Sequence, residues 1–291
     1  MTDIAARQRA EDLASTLPPL LVAAERVAAT VAQGVHGRRR VGTGESFWQF
    51  RRYQAGDAAS VIDWRQSART DRLFVRQHEW EAAQSVWLWR DSSPSMQYRS
   101  HGAETTKADR ATLLLLALSA LLVRGGERVA LLGDGRRPAA GGAALALIAD
   151  AVTAADRDPG QSLPPREALP RHAEVVLIGD FLSPVEELEQ LVRHFSERGI
   201  AGHLLQVLDP AEEDLPFTGR AEFVGAEGEG SMVAGRVEAL RASYDLRLRA
   251  QREALGRLGR NARWTFTTHR TDRPPQVPLL ALYESLARRI V

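Results

Sequence analysis

A chain of 291 residues, 44% of them hydrophobic, with a formal charge of +1, has an ordinary soluble composition and enough length for one large domain plus an appendage. No cysteine occurs, which excludes disulfides, thiolate metal sites and cysteine nucleophiles and is compatible with a reducing compartment. The seven histidines include no close pair of the zinc-enzyme type.

In chain order, residues 5–33 read as an amphipathic helical arm broken at Pro18 and Pro19. Leu20, Leu21, Ala24, Val27, Ala28 and Val31 form its apolar stripe. The opening "MTDIAARQRAEDLAST" carries acids and no apolar signal core, so the expected location is the cytoplasm. From residue 36 to 84 helical periodicity gives way to short β-prone pieces between glycine- and arginine-rich turns. From Ser85 onward β-prone runs alternate with helical segments, the pattern of a layered α/β domain with a largely parallel sheet and helices on both faces. Strands are expected at 85–91, 127–133, 174–180, 202–208 and 263–268, and helices at 106–124, 143–155, 185–198, 236–260 and 277–289. The run from Ala111 to Val123 is shorter than the roughly 20 residues needed to span a bilayer and reads as a buried helix, so no membrane span is expected. "RAEFVGAEGEGSMVAG" reads as a protruding hairpin around a glycine-rich turn. Val86 to Trp89 alternate two tryptophans with two aliphatic side chains, as expected of a strand buried on both faces.

That strand stops on an aspartate followed by serines, "WLWRDSSPSMQYRS". Such an ending is either a polar turn or half of a site for a hard cation. In open α/β sheets ligands settle beyond the carboxyl ends of the strands. Asp91, with Ser93 and Ser95 in D-x-S-x-S, and Asp180, closing "VVLIGDF", both fall at such ends. Carboxylate and hydroxyl oxygens suit Mg²⁺ or Mn²⁺, which leaves positions open to an outside ligand such as a partner's carboxylate. Pro94 biases Ser93 to an extended backbone, so a loop rather than a first helical turn is expected there.

The stretch "GTGESFWQFRRYQAGDAASVIDWRQSARTDRLFVRQHEWE" followed by "WLWRDSSPSM" resembles the signature of the bacterial domain of unknown function family 58 (DUF58), and "GERVALL", "IGDFL" and "LDPAEEDLP" fit it further along. The resemblance implies a von Willebrand factor A-like (Rossmann-like) domain over 85–291 and a β-rich signature segment over 36–84, which leaves the helical arm as a separate segment over 1–35. It also implies a metal-ion-dependent adhesion site, whose metal motif falls on Asp91, Ser93 and Ser95 and whose distal aspartate is Asp180. Such sites usually add a threonine from an intervening loop. Here that loop reads "PGQSLPP", leaving Ser162 as the hydroxyl. Family members are commonly encoded beside MoxR-type AAA+ ATPases, so the implied role is a non-enzymatic adaptor or chaperone component working with such an ATPase or its client.

Between His36 and Arg76 arginines outnumber acids. With Phe47, Trp48, Tyr53 and Trp64 nearby they form a pattern that can bind nucleic acid. A fixed polar network of Arg51, Arg52, Asp57, Asp63, Arg65 and Arg69 is the favoured reading, because arginine pairs bidentately with carboxylates. In it, Asp63 and Arg65 share one side of an extended strand. One rival function is a Mg²⁺-dependent phosphoryl-transfer enzyme of haloacid dehalogenase type, but position 93 is serine where that chemistry needs a second aspartate. A structural module that binds no metal is the other.

Overall fold

A computed structural model of the chain describes residues 23–32, 49–53, 64–68, 73–77, 84–155, 160 and 162–287. It divides into two compact units, residues 40–83 and the remainder.

In the smaller unit β1 (Gln49–Arg52) pairs antiparallel with β2 (Phe74–Gln77), from Gln49 opposite Gln77 to Arg52 opposite Phe74. Between them α2 (Trp64–Ser67) is a single turn, closed by Ala68 N–H donating to Trp64 O at 2.9 Å. Phe74 N–H donates to Ser67 Oγ at 2.9 Å, tying that turn to the start of β2. Arg65 therefore sits in a helical turn and not on the extended strand expected from its sequence. A short run without strong periodicity takes whatever backbone closes its own hydrogen bonds. Asp57, Asp63 and Arg69 lie outside the described residues, as do the side chains of Arg51, Arg52 and Arg65.

Among the described residues the larger unit begins with α1, residues 23–32. Its core is a five-stranded parallel sheet ordered β4-β3-β5-β6-β9. The strands are β3 (Ser85–Arg90), β4 (Arg128–Leu131), β5 (Glu174–Gly179), β6 (Ala201–Leu208) and β9 (Thr265–Arg270). Helices α3 (Lys107–Arg124), α4 (Gly142–Ala155) and α8 (Gln276–Ala287) cover one face, and α5 (Val185–Ser196) and α7 (Arg241–Ala262) the other. The fold is thus α/β with helices on both faces.

Alternation along the strands builds both layers. Val86 and Leu88 of β3 join Val176 and Ile178 of β5 beneath α3, with Ala24, Val27, Ala28 and Val31 of α1 in the same layer. Trp87 and Trp89 face the other way, onto Val175, Leu177 and Phe195. Fully buried leucines such as Leu88, Leu115 and Leu177 each contribute roughly 1.5–3 kcal/mol of transfer free energy. Helix α3 is buried nearly all round, as its continuous apolar run requires.

Two details differ from the sequence reading. The segment from 236 opens with a 3₁₀ turn at Val237–Ala239 before α7 starts at Arg241. A short helix α6 (Pro210–Asp214) follows β6, where only "LDPAEEDLP" had stood. Its start is a capping box: Ala211 N–H donates to Asp209 Oδ1 at 2.8 Å and Asp209 N–H to Glu212 Oε2 at 2.9 Å. The hairpin is present as β7 (Ala221–Val224) and β8 (Ser231–Ala234). Gly228 and Gly230 at its tip hold φ of 90° and 98°, which L side chains rarely adopt. Among the described residues no helix is long and apolar enough to cross a membrane.

Candidate functional site

Helix α3 leaves β3 toward one face of the sheet and α5 leaves β5 toward the other. Because β3 and β5 are neighbours, the loops at their carboxyl ends diverge and open a crevice between them, the place where α/β sheets bind ligands. Asp91 and Asp180 stand at those two ends. Asp91 is fully buried and Asp180 nearly so, and Asp91 N–H donates to Ile178 O at 2.8 Å.

The D-x-S-x-S residues and Asp180 form one chain of hydrogen bonds. Ser93 N–H donates to Asp91 Oδ1 at 2.8 Å, Ser95 Oγ–H donates to Asp180 Oδ2 at 2.7 Å, and the two serine hydroxyls lie 3.1 Å apart. Since Ser95 spends its single proton on Asp180, Ser93 is the donor between the hydroxyls. Ser93 is extended, with φ −61° and ψ 158°, but Pro94 opens a 3₁₀ turn over Pro94–Gln97, a correction to the expected loop. Proline has no N–H to leave unpaired at a first helical position and its φ is already set. The turn buries Met96 beneath the loop and aims Ser95 across the crevice.

Asp91 Oδ2 is buried and has no hydrogen-bond partner among the described residues. Burial, then the charge of Asp180, push the Asp91 carboxyl up to about 7 against the lowering pull of its bond from Ser93. Gly179 leaves room for it: a Cβ there would lie 2.9 Å from Asp91 Cβ. Ser162 makes no hydrogen bond to the cluster among the described residues; it accepts from Ser183 Oγ at 3.0 Å. Ser183 itself follows closely on Asp180.

A residue that the sequence reading passed over completes the arrangement. Lys107, fully buried at the first position of α3, donates from Nζ to Asp180 Oδ2 at 2.9 Å and to Glu212 Oε1 at 2.5 Å. Burial alone would lower its pKa, but Asp180 and Glu212 together hold it above the usual lysine value. A cation at a helix N-terminus opposes the macrodipole, so a lysine opening an apolar helix was a signal available in the sequence. Its partners are 73 and 105 residues away, and local patterns cannot supply them. The capping box places Glu212, and the Tyr244 hydroxyl donates to Glu212 O.

A family described as protein of unknown function DUF58 matches residues 49–254. The chain belongs to DUF58. Curated relatives of this DUF58 chain include the uncharacterized proteins Rv1480 of Mycobacterium tuberculosis and Mb1516 of Mycobacterium bovis. Each is 29% identical over 279 residues, 90% of this chain and 86% of theirs. Among solved structures, an aerotolerance-related membrane protein from Bacteroides fragilis aligns with TM-score 0.43 at 15% identity, over 71% of this chain and 100% of that one. A conserved hypothetical protein BatB from Bacteroides thetaiotaomicron aligns with TM-score 0.36 at 13% identity, over the same shares.

The donor set of this DUF58 site fits a small hard cation in one respect and resists it in another. Two carboxylates and two hydroxyls offer only oxygen, and Asp91 Oδ2 is a buried acceptor without a donor among the described residues. Among the described residues no group of three or more His, Cys, Asp or Glu converges so as to hold a metal ion. Lys107 supplies a positive charge of its own on the Asp180 side.

Proposed function

We propose that this DUF58 protein is a non-enzymatic, divalent-metal-dependent protein-interaction module that works with a MoxR-type AAA+ ATPase or its client. The observation that carries the reading is Asp91 Oδ2, a buried carboxylate oxygen without a hydrogen bond from any described residue, beside Ser93, Ser95 and Asp180. Mg²⁺ or Mn²⁺ bound there would neutralise Asp91 and present an open coordination position to a partner's carboxylate. Asp91, Ser93, Ser95 and Asp180 would hold it, with Ser162 bonded instead to Ser183. Ser93 N–H fixes the Asp91 carboxylate plane, and Lys107 holds Asp180 in place. The ATPase partner is drawn from the family resemblance.

Isothermal titration of Mg²⁺ and Mn²⁺ into chelator-stripped protein tests the metal, and capture from lysate with and without Mg²⁺ tests the partner. Heat of binding and a raised melting temperature support the reading. Asp91→Ala should abolish metal-dependent capture while leaving the fold intact; capture that persists with the same metal dependence rejects it.

One observation favours a second reading, a structural module that needs no metal. The Lys107 ammonium already neutralises the Asp180 side of the cluster. Absence of both heat and thermal stabilisation would select this alternative.

A further inference from the structure

A cavity of about 820 Å³, lined by Ser95 and Asp180 on one side and by the β7–β8 hairpin on the other, opens at these strand ends. We propose that it docks a protein segment carrying a bulky apolar side chain flanked by lysine or arginine. This surface shares Ser95 and Asp180 with the metal reading but does not depend on a bound ion.

The walls are apolar. Leu215 is buried at the base, and Leu182 and Phe217 are 44% and 38% exposed at the mouth. Phe217 and Phe223 meet edge to face with ring centroids 6.0 Å apart. Contiguous apolar surface of this kind on an otherwise polar exterior marks an interaction site, and the volume falls in the range of about 300–1,000 Å³ typical of ligand pockets. The walls are also fixed before anything binds. Leu215, Ala234 and Val237 form a small core of their own beneath the hairpin. Arg241 donates to Leu215 O at 3.1 Å and to Phe217 O at 2.9 Å. Little ordering is left for the bound state to supply.

The charge is one-sided. Glu222, Glu227 and Glu229 line the cavity from the hairpin and are exposed, while among the described residues no lysine, arginine or histidine lines it. Asp180 and Glu212 also line it, and Lys107 pairs with both. Glu229 closes the hairpin tip by accepting from Glu227 N–H at 3.0 Å. With no cation bound at Asp180, an apolar slot with an acidic rim complements a cationic segment and disfavours acidic peptides, nucleic acid and anionic lipid.

Fluorescence anisotropy, with EDTA present throughout, tests this with two labelled peptides, acetyl-Arg-Trp-Arg-Leu-amide and acetyl-Glu-Trp-Glu-Leu-amide. The basic peptide should bind with Kd below about 1 mM and at least tenfold more tightly than the acidic one. Joint reversal by Glu222→Lys, Glu227→Lys and Glu229→Lys should invert that preference. Leu182→Ser, at an exposed position that need not disturb folding, should weaken the basic peptide severalfold. Equal affinities, no binding by either peptide, or a preference unchanged in the triple variant would overturn the proposal. So would binding that ignores Leu182→Ser and vanishes in moderate salt, because that is charge attraction without a docking slot. Matched melting temperatures confirm that the variants are folded.

Discussion

Lys107 Nζ lies 2.9 Å from Asp180 Oδ2, the same oxygen that accepts the Ser95 hydroxyl at 2.7 Å. One carboxylate oxygen therefore joins the first turn of α3, the serine loop after β3 and the end of β5. The ammonium is fully buried and also pairs with Glu212, so it fixes the crevice while its charge is spent on two acids.

Removing that ammonium should be costly. Lys107→Met keeps the length of the side chain but leaves Asp180 and Glu212 as uncompensated buried acids, with an expected loss of about 3–5 kcal/mol. Urea denaturation at pH 7 measures it. Adding Glu212→Gln should recover part of the loss. A deficit well under 1 kcal/mol, as for an exposed pair, would show that the ion pair is not the brace described.

Asp91 imposes the opposite effect. Its folded pKa of about 7 stands above the ordinary 3.8. Below pH 3.8 the carboxyl is neutral in both states and its favourable contribution is complete. Stability is then lost as pH rises through about 7, because the unfolded chain releases the proton first. Asp91→Asn keeps an oxygen for Ser93 N–H without the charge. Its melting temperature should exceed that of the wild type at pH 8, by a margin on the order of a few kcal/mol in stability, and the gap should shrink toward pH 5. A gap independent of pH would contradict the buried, unpaired carboxylate.

His269 titrates with the reverse sign. Burial, then the Arg110 charge, lower its pKa from 6.5 to about 4, and Arg110 Nη1 lies 3.3 Å from its Nε2. Stability from this group is present above pH 6.5 and is lost as pH falls toward 4, since the unfolded chain takes the proton first. His269→Gln should therefore lose on the order of 2–3 kcal/mol less than the wild type between pH 7.5 and 4.5. Denaturation midpoints along that range give the comparison, and parallel profiles would refute it.

Gly202 tests the packing of the second face. A Cβ there would lie 2.4 Å from the Trp264 ring, which stacks on Phe195 at 6.2 Å. Gly202→Ala in β6 must displace a buried indole and should cost about 1–3 kcal/mol. Tryptophan emission should shift with the stability loss; unchanged emission and midpoint would mean that the ring moves freely.

The strands β3, β5 and β6 were legible because buried parallel strands are unbroken apolar runs with polar ends, and a run such as "VVLIG" states both its extent and its stop. The D-x-S-x-S element was legible for the same reason, as the polar stop of β3. The short helix at Trp64 was not. Nothing periodic marks four residues, and their conformation is set by Ser67 meeting the backbone of Phe74. The capping box at Asp209 was readable as D-P-x-E, but its use in placing Glu212 against Lys107 was not.

By itself the sequence determined the layering of this protein and the oxygen-rich strand ends, since burial alternation and turn chemistry are local properties carried by neighbouring residues. Only the tertiary structure decided that Asp91 and Asp180 share one crevice, that Lys107 is the buried cation between Asp180 and Glu212, and that an acidic hairpin faces an apolar wall beside them. Those relations depend on strand order and on which face each helix takes, and they join residues far apart in the chain whose individual identities carry no record of one another.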